Sequence, residues 1–413
     1  MLLKDTIQLG FSTLMRQKLR TTLTTIALGI GIASVVIILS AGRGLEGLIV
    51  GELDIYNPNA LNIEVRIPGK GETGSATGMA SGVTITTLKN ADTEEIEKHE
   101  NIDSTYDYVT GQEVLKYGGE NKTVILFGYG ANASKVEKMS FEEGRFYEKS
   151  EEDSLAQVLV IGYGIKEEFF GEDSAVGKNV YIRGKSYKVV GVMAERGASF
   201  GFDYDDLVYI PTKTLQKRLL GTDYVMGIMG RVIDMTKIDQ TKADVEYLLR
   251  DRHDITDPDK DDFQVTTMDE IQDMLGTIVG GITLLLVALV CISLIVAGVG
   301  ITNIMYVTVA ERTFEIGLRK SLGAKNKDIL WQFLIEAMML TSAGGVVGVI
   351  LGFFVSYAIY YGAVSYGLDW IFSVPLYSIV LAISFSTFVG LFFGIYPAKK
   401  AANLDPIVAL RKE

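Results

Sequence analysis

One cysteine, two histidines and two tryptophans in 413 residues leave little room for several kinds of chemistry. Cys291 stands alone inside an apolar run, so no intrachain disulfide can form. His99 and His253 are far apart in sequence and each sits among charged residues, which reads as two solvated surface groups. A structural zinc site and a Cys–His nucleophile pair are therefore excluded. Prolines number only seven, and long stretches carry no charge at all. The formal charge of −12 argues against nucleic acid as a partner, although the charge is spread unevenly along the chain.

What the chain has instead is apolar length. Hydrophobic residues make up 48%, and the mean hydropathy is +0.25. Four runs, Leu23–Ala41, Ile278–Ile304, Ala337–Tyr361 and Val374–Tyr396, reach the roughly 20 residues needed to cross a bilayer and hold no ionisable side chain in their apolar cores. The first could be a cleaved signal with Ser40-Ala41-Gly42 as its processing site, but its apolar stretch is long for that, and a retained span is the reading.

Orientation follows from lysine and arginine near the span ends. Lys4, Arg16, Lys18 and Arg20 precede the first span. Arg312, Arg319, Lys320, Lys325 and Lys327 lie between the second and third, and Lys399, Lys400, Arg411 and Lys412 follow the fourth. The link 362–373 has no basic residue. Both termini and the middle loop are expected in the cytoplasm, with residues 44–275 outside. The expected order is an amphipathic helix at 1–20, spans at 21–43, 276–305, 333–361 and 374–397, a cytoplasmic loop at 306–332, a short external loop at 362–373 and a tail at 398–413.

The exterior segment is long enough for its own core. Strand patterns fall at Leu61–Ile67, Lys122–Tyr129, Gln157–Ile161, Asn179–Ile182, Tyr187–Met193 and Leu207–Ile210, with helical patterns at Thr93–Glu100 and Lys237–Asp251. The fold class is thus a four-helix membrane protein with a large extracytoplasmic α+β domain. Gly69–Gly82 reads as a mobile loop. Gly171 to Gly177-Lys178 has one residue too many for a phosphate loop, and Gly184-Lys185-Ser186 lacks the upstream glycine, so both read as turns. No cofactor or metal site is expected in this chain, and its many acids read as solvated surface.

Between the second and third spans, Phe314, Leu318 and Leu322 are spaced by four and share a helical face, with Glu315 and Arg319 paired on it. Gly323 is placed to stop that helix, and Asn326–Asp328 to cap the next. A plain connector needs no amphipathic helix, so this face is expected to cover membrane surface or another protein. Gly344, Gly348 and Gly352 form a small-residue stripe on the third span, fit either for internal packing or for a dimer seam.

The run from Glu311 to Lys325, followed by Gln332-Phe333-Leu334-Ile335-Glu336-Ala337, resembles the signature of the MacB/FtsX-type permeases of ATP-binding cassette systems. The end, Gly394-Ile395-Tyr396-Pro397-Ala398-Lys399-Lys400 through Asp405-Pro406 to Arg411, is similar to that family's closing motif. Val176-Gly177-Lys178, Val189 to Val192 and Asp206 to Pro211 resemble the MacB periplasmic domain. The resemblance implies a permease homodimer docked on a separate ATPase that holds ATP and magnesium, with a membrane-fusion adaptor outside. It implies a coupling region of Glu311, Phe314, Glu315, Ile316, Leu318, Arg319, Leu322, Gly323 and Ala324, in which Glu315 and Arg319 make the polar contacts. It also implies porter and sabre subdomains, the sabre inserted near Phe141–Leu220, and stalks at Leu45–Leu53 and Met268–Gly276. Export is the expected function; FtsX-like control of a cell-wall hydrolase and Lol-type lipoprotein release are the alternatives.

Overall fold

The computed structural model describes residues 18–53, 57–68, 84–199, 202–366, 368 and 370–411. The expected N-terminal helix and the glycine-rich loop at 69–82 lie outside these residues, apart from Lys18, Leu19 and Arg20 of the first. The helices used below are α1 (Lys18–Leu53), α2 (Asn90–Ile96), α3 (Tyr163–Phe170), α4 (Ile238–Arg252), α5 (Met268–Glu311), α6 (Thr313–Ser321), α7 (Asn326–Ser365), α8 (Leu376–Ala402) and α9 (Pro406–Arg411). The chain divides into two compact units, residues 1–48 with 276–413, and residues 49–275.

In the first unit, α1, α5, α7 and α8 are long and apolar enough to cross a membrane. At a rise of about 1.5 Å per residue, the 44 residues of α5 extend far beyond the roughly 30 Å of a hydrocarbon core. The 36 residues of α1 do so as well. The expected stalk segments, Leu45–Leu53 and Met268–Gly276, are thus parts of these same unbroken helices. The packing of this unit is glycine-driven. A Cβ added at Gly348 would meet the Gly29 carbonyl at 2.6 Å and Ile32 at 2.8 Å. One at Gly344 would meet Leu28 at 2.9 Å, and one at Gly352 would meet Val36 at 2.8 Å. The glycine stripe therefore seats α7 directly on α1 within one chain, which decides between the two roles open to it. Hydroxyls add interhelical bonds: Ser386 Oγ donates to the Thr341 carbonyl (2.5 Å), and Thr302 Oγ1 to the Phe393 carbonyl (3.0 Å).

The second unit is built on one ten-stranded mixed sheet. Its strands are β1 (Ala60–Val65), β2 (Ile102–Tyr117), β3 (Glu120–Tyr129), β4 (Phe141–Gly144), β5 (Val158–Ile161), β6 (Asn179–Ile182), β7 (Lys185–Met193), β10 (Leu207–Pro211), β11 (Gly227–Val232) and β12 (Phe263–Thr267). A separate two-residue hairpin, β8 (Ala198–Ser199) with β9 (Phe202–Asp203), accounts for the intervening numbers. The order is β12-β1-β11-β2-β3-β10-β5-β7-β4, with β6 bridging β2 and β7. Pairing is antiparallel except for β3 with β10 and β5 with β7. The strands from residues 141–220 thus gather toward one end of the sheet.

Alternating side chains build cores on its faces. Leu61, Ile63, Ile228, Val245, Leu249 and Phe263 form one, under α2 and α4. Leu126, Leu159, Ile161, Ile165, Phe169 and Tyr187 form another, under α3. Gly177 and Gly184, at φ of +86° and +74°, occupy the left-handed turns flanking β6, in keeping with their reading as turns.

Candidate functional site

The amphipathic loop becomes α6, and its geometry is fixed at every side. Arg312 breaks the line of α5, with Nε at 2.9 Å from Glu315 and Nη1 at 3.1 Å from Glu336. Arg319 bonds Glu315 (2.5 Å) and the Gln332 side-chain oxygen (2.6 Å), so one ion-pair network ties the start of α6 to α7. Inward, Ile316 is 2% exposed, and a Cβ at Gly317 would come within 2.7 Å of Ala409 on α9. Lys320 Nζ donates to the carbonyls of Ala402 (2.8 Å) and Leu404 (2.6 Å). Those carbonyls lie at and just beyond the end of α8, where such groups lack helical partners.

The helix ends as expected. Gly323 takes φ +97°, its N–H bonds the Lys320 carbonyl (3.0 Å), and the Ala324 N–H bonds that of Arg319 (3.0 Å). This pair of bonds is the Schellman arrangement, which needs a left-handed residue at that point. Asp328 then accepts from the Lys325 N–H at 3.0 Å and starts α7.

Outward, the stripe is open. Phe314 is 56%, Leu318 46% and Leu322 81% exposed. On α9, Ile407 and Val408 are exposed as well, an apolar contribution the sequence reading did not single out. One expectation needs correction. Ile316, grouped with the contact residues, belongs to the buried core of this unit. Glu315 and Arg319 bond Arg312 and Gln332 within the chain, which holds α6 in place. Glu311 closes α5, and Ala324 completes the turn after Gly323.

The two histidines were read as solvated; His99 is half-buried and the side chain of His253 is buried. His99 Nε2 lies 3.2 Å from Asp244. His253, its side chain 8% exposed, sits 2.8 Å from Asp262 and 3.5 Å from Asp92. Hydrogen bonds to Asp262 and then Asp92 push its pKa up to about 9. Asp92 also takes Arg252 Nε at 2.7 Å, and Arg250 pairs with Asp261 at 2.7 Å. Nor are the acids all surface groups. Asp107, Glu137 and Glu152 are buried. Burial raises the pKa of Asp107, which accepts from Asn90 at 2.7 Å, above its ordinary value. It pushes Glu137 and Glu152 each to about 7, with the nearby Asp107 charge adding to the effect on Glu152. The contacts join residues from 9 positions apart, as His253 and Asp262, to 160 apart, as Arg252 and Asp92, a spread that no helical or strand periodicity reveals.

Residues 21–248 match the model of the MacB-like periplasmic core domain, and residues 287–406 that of the FtsX-like permease C-terminal domain. The chain belongs to the MacB/FtsX-type permease family. It is 32% identical over 410 residues to the macrolide export ATP-binding/permease protein MacB of Wolinella succinogenes, covering 99% of this chain and 61% of that protein. It is 35% identical over 411 residues to the protein of the same name from Chlorobium luteolum, covering 98% and 60%. The chain thus spans about 60% of the length of these relatives. Among solved structures, the periplasmic region of MacB from Actinobacillus actinomycetemcomitans is similar at 22% identity, covering 55% of this chain and 97% of that one, with a TM-score of 0.46. This MacB-type permease is accordingly a membrane protein with a large extracytoplasmic domain.

Proposed function

We propose that this permease couples ATP hydrolysis by an ABC-type ATPase to movement of its extracytoplasmic domain, and that the system exports a substrate. The observation that carries the reading is the open stripe of Phe314, Leu318 and Leu322 on a helix pinned to the rest of its unit. Apolar side chains held in place by an ion-pair network are suited to docking on a partner and passing force onward. Lysine and arginine at the span ends support a cytoplasmic side for this helix and both termini, where ATP is available. ATP and magnesium sit on the ATPase, and two permease copies work as a pair beneath an adaptor.

The names of the relatives, macrolide export proteins, favour export over hydrolase control. The spans add a second support. Ion-coupled carriers place ionisable groups in the bilayer, whereas the apolar cores of these four carry none. ATP is then the natural source of work, and the substrate is taken up outside. The helices α1 and α5, each unbroken and longer than the membrane is thick, would relay the motion.

The test is a pull-down of the tagged permease with its ATPase, paired with ATPase assays. Phe314→Ser with Leu318→Ser should lower ATPase retention and its stimulation at least about tenfold, since a buried apolar anchor is worth about 1.5–3 kcal/mol, while thermal stability stays unchanged. Full retention would discard the docking assignment. Movement of substrate across a sealed bilayer with no exterior partner would discard the mechanism.

A further inference from the structure

Two carboxylates of the exterior unit are buried against the same small cavity. Asp107 on β2 and Glu152 on the short helix Lys149–Asp153 are 5% and 7% exposed, and both line a space of about 40 Å³ beside α2. Asn90 Nδ2 (2.7 Å) and Thr93 Oγ1 (3.3 Å) donate to Asp107 Oδ2. The Thr212 hydroxyl gives its hydrogen to the backbone carbonyl of Asp107 at 3.0 Å, and Oδ1 is left buried with no hydrogen bond. Glu152 accepts at Oε2 from the Ala131 N–H at 2.7 Å.

None of these donors is charged. Lys213, which lines the same cavity, bonds Asp153 at 2.9 Å and lies 3.6 Å from Glu94, so it acts on the two buried acids only from farther away. A carboxylate removed from water needs a cation or a full set of donors, failing which it takes up a proton. Burial accordingly raises the pKa of both, that of Glu152 to about 7. The rest of the lining adds to the same sign, since Glu94, Glu97 and Asp153 outnumber Lys149 and Lys213.

The cavity is short of positive charge and has room to receive it, since a water-sized group needs only about 10–15 Å³. Its size and its acceptors then select among cations. Among the described residues, no three acids, histidines or cysteines are grouped to hold a metal ion. A quaternary ammonium is too bulky for the space and has no N–H to give to Asp107 Oδ1. A primary ammonium is close to water in size and carries three N–H donors. We propose that this cavity binds one primary ammonium group of a short aliphatic diamine, donating to Asp107 Oδ1 and Glu152, with the second ammonium among Glu94, Glu97 and Asp153. The assignment is one of binding alone, and it stands apart from ATP coupling and export.

The experiment titrates putrescine into the full chain in phosphatidylcholine nanodiscs by calorimetry at about pH 8, above the raised value of Glu152, with empty nanodiscs as the blank. Saturable binding is expected with Kd near or below about 1 mM. Tetramethylammonium, which lacks the N–H groups, and butanediol, which lacks the charge, should not displace it. Asp107→Asn is expected to weaken binding about tenfold and Glu152→Gln several-fold. The absence of saturable binding to the unaltered chain overturns the proposal, as does equal displacement by tetramethylammonium, which would mean attraction to acidic surface alone. Unchanged affinity in a folded Asp107→Asn variant overturns it as well. Should that variant not fold, Glu152→Gln decides, and unchanged affinity there overturns the proposal too.

Discussion

In the membrane unit the largest side chains point outward and the smallest inward. Leu284, Val296, Phe354 and Phe392 are all more than 60% exposed, whereas Gly344, Gly348, Ala382, Ala398 and Ser386 are buried. In the exterior unit the order is reversed. Leu126, Ile161, Val208 and Tyr187 are fully buried, and few large apolar groups other than Ile233 and Tyr247 are well exposed. Each arrangement suits its solvent. Lipid offers no reward for hiding leucine, so helices there associate through close approach and hydroxyl bonds. Water rewards burial, so the exterior sheet hides bulk and admits acids inside only where a partner charge, or hydrogen bonds with a raised pKa, offset the loss of water. The two units therefore break in different ways: the first by adding volume at a glycine, the second by removing half of a charge pair.

The largest effect is expected from His253→Leu. It leaves Asp92 and Asp262 without the cation between them, at a cost of about 3–5 kcal/mol to the exterior unit, read as a fall in its unfolding midpoint. The same cluster predicts a pH window. His253 is raised from 6.5 to about 9 in the folded chain, so its contribution is complete below about pH 6.5 and is lost as pH rises through 9. Asp92 and Asp262 are lowered, chiefly by their hydrogen bonds to His253 against the opposing effect of burial, so their contribution holds above the ordinary carboxylate range and fades as pH falls through their depressed values. Thermal stability measured across pH should show a plateau bounded on both sides, and His253→Leu should remove the alkaline edge. An alkaline edge unchanged in the variant would assign it to other groups.

Next in size is Gly348→Val, which forces α7 off α1 and should cost about 1–3 kcal/mol. Gly280→Val, where an added Cβ meets nothing within 4 Å among the described residues, is the control and should change the melting temperature in detergent little. Equal losses in both would mean that backbone entropy, not close approach, governs these glycines. The smallest effect is Thr302→Val, which removes one interhelical bond to the Phe393 carbonyl and should cost about 0.6 kcal/mol. A loss of several kcal/mol by the same melting assay would show that this hydroxyl does more than bridge α5 and α8.

The difference between the units also explains what could be read from sequence. The four membrane helices announce themselves, because a span is a local property of about 20 consecutive residues. Each expected span falls within or within two residues of an observed helix, and α4 and α6 were visible from their periodicity. The exterior sheet was legible only in part. Its longest strand, β2, was missed because Asp103, Asp107, Gly111 and Glu113 interrupt its apolar pattern. The missed β11 holds two glycines in six residues, a composition that strands usually avoid. The misreading of His253 has the same root: its sequence neighbours are charged, but its partners Asp92 and Asp262 arrive from elsewhere in the fold. On α6 the exposed stripe was legible, because its spacing is local. The inward turn of Ile316 and the engagement of Arg319 with Gln332 were not, since both depend on α7 and α9 packing around it.

Lys320 gives α6 a mechanical character. Its ammonium group ties the middle of α6 to the carbonyls at the end of α8, while Arg319 ties it to α7 and Arg312 ties its junction with α5 to Glu336 of α7. A helix anchored at three places cannot roll under a load on its outer face without straining all three attachments. A push on Phe314 or Leu322 therefore becomes a displacement shared by three spans, as a cleat shares the strain of one rope among several bolts.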